Sequence, residues 1–179
     1  MNMKLFSLLS FFSILFNCAI GQDTFTSDAL SKWKGMKSFT LAVAEAMPEN
    51  KFNYKPVQEE MTFAKQLVHI ANNIYTLSSK FLRDTLSPVN MKSMEEKESN
   101  NALTKAELIA YVSNAFDYGG KSIELLDAKK LEEVINFWGG SATKRKIVLL
   151  LNDHQTHHRG QMIVYLRLNG ITPPAYIGW

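Results

Sequence analysis

Apolar residues recur along this chain in alternating steps of four and three, and that rhythm leaves few folds open. Phe63, Leu67, Ile70, Ile74, Leu77 and Phe81 keep it without a break, and so do Ile147, Leu151, His154, His158, Gln161, Tyr165 and Leu168. Steps averaging about 3.5 residues hold side chains on one side of an α-helix and aim them at neighbouring helices. Leu30, Trp33, Met36, Phe39 and Val43 form a third such side, and Leu108, Val112, Ala115, Gly119, Ile123 and Leu126 a fourth. No segment alternates as a strand does over more than a few residues. The expectation is an all-α chain whose helices, near 27–47, 57–82, 104–127 and 143–169, pack as a four-helix bundle.

Punctuation supports these limits. Thr26 or Ser27 is suited to cap the first helix and Pro48 to stop it. Thr104 and Glu107 have capping-box form, in which hydroxyl and carboxylate reciprocally satisfy free amides. Gly170 suits the left-handed position after the last helix, Ile171 its hydrophobic contact, and Pro173-Pro174 forbids continuation. Gly119-Gly120 lies inside a helical pattern at a cost of about 1 kcal/mol per glycine, which implies close approach of another element or a kink. Arg83 to Ala102, with Ser87-Pro88 and the run Glu95-Glu96-Lys97-Glu98, reads as a long loop crossing the bundle or standing off its surface. Ala128 to Gly140 reads as a less regular link, with Phe137 and Trp138 covering the core. There is no internal repeat and no second domain.

Residues 1–21 have the form of an export signal. Lys4 supplies the charge, Leu5 to Phe16 an apolar stretch too short to span a bilayer, and Ala19-Ile20-Gly21 a small-residue cleavage pattern. Residues 22–179 then form one domain of adequate core, placed in the periplasm or outside the cell. Cys18 offers the alternative of a lipoprotein, against which Asn17 is bulkier and more polar than such processing favours; only a lipidated Cys18 would bring the protein to a membrane. Without Cys18 the mature chain has no cysteine, which excludes a thiolate nucleophile, a thiolate zinc site and disulfides. The net charge of +3 is too small to indicate a nucleic-acid partner, and Lys144-Arg145-Lys146 reads as a solvated helix start. A homodimer is compatible with the sequence.

Two positions of the last apolar seam are histidines. His154 and His158 are one helical turn apart, so their imidazoles leave one face about 6 Å apart along the axis, close enough to converge on one ion. Left unpaired in an apolar seam, each would cost roughly 1–3 kcal/mol. His69, on a polar strip with Gln66 and Asn73, can meet the pair across the bundle, giving three nitrogen ligands and at least one open position; alternatively it is an ordinary residue at the edge of the apolar face. His157 lies off the register, although a modest helix rotation would exchange it with His158, and Asp153 points away from the seam. Neither a glycine-rich phosphate loop, a G-x-S-x-G elbow nor an H-E-x-x-H motif is present, and no general acid or base is assigned.

The block His154-x-x-x-His158-Arg159-Gly160-Gln161, the upstream Phe63-x-x-x-Leu67-x-His69-Ile70, and the ending Tyr165-Leu166-Arg167-x-x-Gly170-x-x-Pro173-Pro174 resemble the DinB/YfiT-like superfamily of small four-helix metalloproteins. The resemblance covers essentially the whole mature chain. It implies His69, His154 and His158 as ligands of one divalent ion, zinc or nickel. It also implies a small-molecule substrate, since relatives include thiol-dependent transferases and isomerases as well as proteins grouped as metal-dependent hydrolases. An export signal departs from the thiol-dependent pattern, whose cofactors are chiefly cytoplasmic. Two expectations follow: an exported metal-dependent hydrolase or transferase, or a non-catalytic metal- or ligand-binding bundle.

Overall fold

The computed structural model gives backbone structure for residues 3–178 and side-chain surroundings for residues 24–178. The export-signal reading of residues 1–21, with Cys18, falls on residues whose side chains lie outside that description. Among the described residues the principal elements are five α-helices and one hairpin: α1 (Met3–Ala46), α2 (Phe63–Thr76), α3 (Met91–Ser99), α4 (Lys105–Glu124), β1 (Val134–Phe137), β2 (Gly140–Thr143) and α5 (Lys144–Leu168).

Four of the helices close into a ring, in which α1 and α2 each pack against both α4 and α5. Lys37 meets Asp117 at 2.6 Å and Lys105 meets Glu45 at 3.4 Å, so α1 and α4 run antiparallel. Arg145 lies over Phe25 and Arg159 over Phe39, so α1 and α5 run parallel. Tyr111 bonds Asn72 and Gly119 faces Ile74, so α2 and α4 point the same way, and the chain between them must return along the bundle. The interior is filled by the residues of the periodic seams: Phe63, Leu67, Ile70, Ile74, Leu77, Val112, Ala115, Val148 and Leu151 are wholly or almost wholly buried. Each large apolar side chain so buried contributes about 1.5–3 kcal/mol.

Gly119 and Gly120 serve a close approach. The indole of Trp33 lies against them, and a Cβ at Gly119 would stand 2.6 Å from Trp33 Cζ2 and 2.8 Å from Ile74 Cγ2. Trp33 Nε1 donates to the Phe116 carbonyl at 2.7 Å, so the indole is anchored as well as buried. The Thr104 and Glu107 capping box is present, with both reciprocal bonds formed. At the other end of the chain the amide of Ile171 bonds to Leu166 O (2.9 Å) and that of Gly170 to Arg167 O (3.0 Å), Gly170 having φ of +74°. This is the Schellman pattern.

Six expectations need correction. The first helix runs through Thr26 and Ser27, so neither caps it; no proline interrupts the segment, and its isolated glycines do not stop a helix. The second starts at Phe63, because Thr62 accepts from Lys65 N and the carbonyls of Tyr54 and Phe52 take the amides of Phe63 and Ala64. It ends in a turn of π-helix (Leu77–Leu82), where Arg83 N reaches back to Ser78 O at 3.0 Å.

The stretch 83–102 contains α3, capped by Asn90 and laid along α2 through Thr76–Met91, Asn72–Glu95 and Thr62–Glu98 hydrogen bonds. The chain is not purely α, since β1 and β2 pair antiparallel across Trp138 and Gly139, with φ of +43° and +86°. Both positive angles match the tight turn that follows strand twist. Phe137 packs on Phe81 with ring centroids 5.0 Å apart, whereas Trp138 is 62% exposed. Lys144 is not solvated: it is buried and paired with Glu133 at 3.1 Å.

Candidate metal centre

Helices α2 and α5 run antiparallel, and their facing sides carry polar groups halfway along an otherwise apolar contact. From α5 come His154, His158 and Gln161, between the buried Leu151 and Tyr165; from α2 come Gln66, His69 and Asn73, between Phe63 and Ile74. His154 Nε2 stands 3.3 Å from His69 Nε2 and 3.3 Å from His158 Nε2. One ligand atom from each of the three residues lies within 4.8 Å of the other two. Nitrogens bound at about 2.0–2.1 Å to a common ion must be that close. His158 is 7% exposed, while His69 and His154 are half-buried, so the cluster opens to solvent on their side.

The surroundings fix which nitrogen is bare. His158 Nδ1 lies 2.6 Å from Gln66 Oε1. A carbonyl oxygen only accepts, so the proton of the neutral ring sits on Nδ1 and Nε2 presents its lone pair to the cluster. Gln66, fully buried, is held in turn by Gln161 Oε1 and lies 3.4 Å from the Tyr165 hydroxyl, which donates to Met61 O at 3.0 Å. His157 is not part of the cluster: it is exposed and bonds Gln161 Nε2 at 2.8 Å. His154 Nδ1 is buried with no protein partner, so this ring is oriented by its helix position alone.

All three imidazoles hold protons weakly. Burial, together with the neighbouring histidines, pushes His154 down to about 4 and His158 down to about 3. Burial lowers His69 too, opposed by the charge of Glu95. At neutral pH the cluster is therefore three uncharged nitrogen donors, the set that zinc and nickel accept. The three residues fit a divalent ion on geometry and charge, and His158 on tautomer as well.

A sequence model of the DinB family matches residues 22–178. The chain belongs to the DinB family. The Bacillus subtilis protein YjoA is 23% identical over 153 residues, which span 82% of this chain and 92% of YjoA. The B. subtilis protein YrdA is 44% identical over a shorter stretch of 48 residues, 27% of this chain and 29% of YrdA. Among solved structures, the DinB-like YjoA superposes with a TM-score of 0.67 at 20% identity, covering 84% of this chain and 97% of that one. A DinB-like protein from Bacillus cereus gives 0.65 at 19%, covering 83% and 95%. These likenesses establish the fold.

Within this DinB-family chain the H-R-G-Q block divides its work. Arg159 turns from the cluster toward α1, buried over the Phe39 ring with its guanidinium 3.3 Å from Thr40 Oγ1, and so ties α5 to α1. Gly160 has open space around it, and nothing in the structure requires glycine there. Gln161 supports Gln66. Sequence reasoning placed Gln66 on a polar strip, and only the crossing of α2 and α5 reveals it as the partner of His158. A cleft of about 750 Å³ lies at the far end of the bundle, lined by Lys80, Arg83, Asp127 and Lys144 among others, and the histidines take no part in it.

Proposed function

We propose that this DinB-family protein is a metal-dependent enzyme, a hydrolase or transferase, that uses His69, His154 and His158 to hold one zinc or nickel ion and acts on a small molecule. The observation that carries the reading is the convergence of three uncharged Nε2 atoms on one point that is closed by protein on the His158 side and open on the His69 and His154 side. A divalent ion held by these three residues would supply Lewis acidity at the open side of the cluster. The chain's own contribution is orientation. Gln66 keeps the His158 proton on Nδ1, and Gln161 and Tyr165 keep Gln66 in place. Leu151 and Ile74 shut water out from below. The export signal read in residues 1–21 places this activity in the periplasm or outside the cell.

The alternative, a metal- or ligand-binding bundle without catalysis, draws on the separation between the histidines and the 750 Å³ cleft. Metal analysis of protein purified without an affinity tag is expected to give one ion per chain. Substitution of His158 by Ala should abolish it while leaving a folded helical protein. Turnover in a screen of ester, amide and thiol-transfer substrates, lost with the metal, selects the enzyme; stoichiometric metal without turnover selects the binding protein.

A further inference from the structure

Helix α3 carries one carboxylate to the open side of the histidine cluster, and two buried side chains hold it there. Glu95 is exposed, yet one of its oxygens accepts from Asn72 Nδ2 at 2.8 Å, and Asn72 Oδ1 accepts from the Tyr111 hydroxyl at 2.6 Å. Asn72 is 7% and Tyr111 8% exposed. The sense of this relay is fixed at both ends. A carboxylate only accepts, so the Asn72 amide nitrogen must face it, and burial holds the Tyr111 phenol protonated well above its ordinary range. A surface glutamate gains little from its charge alone. A tether built from three elements, α4, α2 and α3, therefore implies a use for its position.

That position is beside the cluster. Asn72 and His69 are three residues apart on α2, hence neighbours on its surface. Glu95 is the charge acting most strongly on His69; the others acting on the cluster are Lys65 from α2 and His157 and Asp153 from α5. Of the two carboxylates, Glu95 alone is tethered by buried side chains.

We propose that Glu95 decides which ligands the open side of the cluster accepts: its second oxygen takes a hydrogen bond from a neutral, proton-donating group such as water or an alcohol, and its charge turns away carboxylates and phosphates. This rests on the metal reading above. It names the substrate class as one that presents a hydroxyl, not an anion, at that position.

The test uses the full chain loaded with cobalt(II), followed by visible absorption at fixed neutral pH, with azide as the anionic probe and imidazole as the neutral one. Glu95→Gln should bind azide at least threefold more tightly than the parent while imidazole affinity stays within twofold. Asn72→Leu, which leaves the charge but frees it, should move azide the same way by less, and Tyr111→Phe serves if that variant is unfolded. Glu96→Gln, one residue along α3 with the same change of charge, should leave azide affinity within 1.5-fold or so. Equal effects at positions 95 and 96, or none at 95, overturn the proposal with the metal reading intact. A parent chain that binds no cobalt overturns both.

Discussion

Gln66 accepts the Nδ1 proton of His158 at 2.6 Å, joining the first turn of α2 to the middle of α5 inside the bundle. Outer partners of this kind commonly set metal affinity by about 10–100-fold. Gln66→Met, which keeps volume and removes the acceptor, is expected to weaken zinc binding by about that factor while circular dichroism stays helical. Unchanged affinity by competition with a chromogenic chelator would show that packing alone orients His158.

Low proton affinity at the histidines has a stability consequence. Unfolded, an imidazole titrates near 6.5; in the fold His154 and His158 are pushed down to about 4 and about 3. Between those values the unfolded chain binds more protons, so stability is fully present above about pH 6.5 and is lost as the pH falls toward 3. Metal-free protein should melt at progressively lower temperature from pH 7 to pH 4. The variant with Ala at both 154 and 158 should have a flatter profile over the same range.

Bound metal should persist in mild acid. A cluster of histidines with ordinary pKa values protonates near 6.5, but His154 and His158 are still neutral at pH 5.5. Retention of one ion after dialysis at pH 5.5, with release below about pH 4, is the expected result. Release already at pH 6.5 would mean that the imidazoles are solvated.

Gly119→Ala should test the packing of Trp33. A Cβ 2.6 Å from an indole carbon forces that ring to move, and the ring is anchored through Phe116 O. Overpacking of this kind costs about 1–3 kcal/mol, somewhat offset by the better helix propensity of alanine. A fall in Tm of several degrees is expected, and pairing the change with Trp33→Phe should recover part of it.

If the export reading of Lys4, the apolar run Leu5 to Phe16 and Ala19-Ile20-Gly21 holds, mass spectrometry of the protein from its native host should find Gln22 as the first residue. A diacylglyceryl mass on Cys18 would make it a lipoprotein, and an intact Met1 in the cytosol would remove the export reading.

What could be read in advance was whatever repeats or interrupts a repeat. The seams gave the bundle because helix packing is periodic, and His154 and His158 stood out because they occupy places where Leu or Ile would be expected. Gly119-Gly120 was legible for the same reason, as a gap in a helix that something must fill. Helix α3 was not legible: Met91 and Met94 are its main apolar groups, none of its residues is buried, and it takes helical form against α2 with Asn90 as its cap. The hairpin was missed because strands of four residues show too little alternation to register. Gln66 and Asn72 look like ordinary surface amides in the sequence. Their burial is decided by which helices cross over them, a property of the assembled bundle.

The parallel run of α2 and α4 obliges their connection to travel the length of the bundle, and it does so past His69. Metal ligands and connection are thereby under separate constraint. The helices carrying the imidazoles answer to a shared interior, where most changes are expensive, while α3 has no fully buried residue and answers mainly to Met91, Met94 and its hydrogen bonds to α2. A lineage could therefore change what approaches the histidines by rewriting exposed positions between 83 and 103, and keep the histidines themselves.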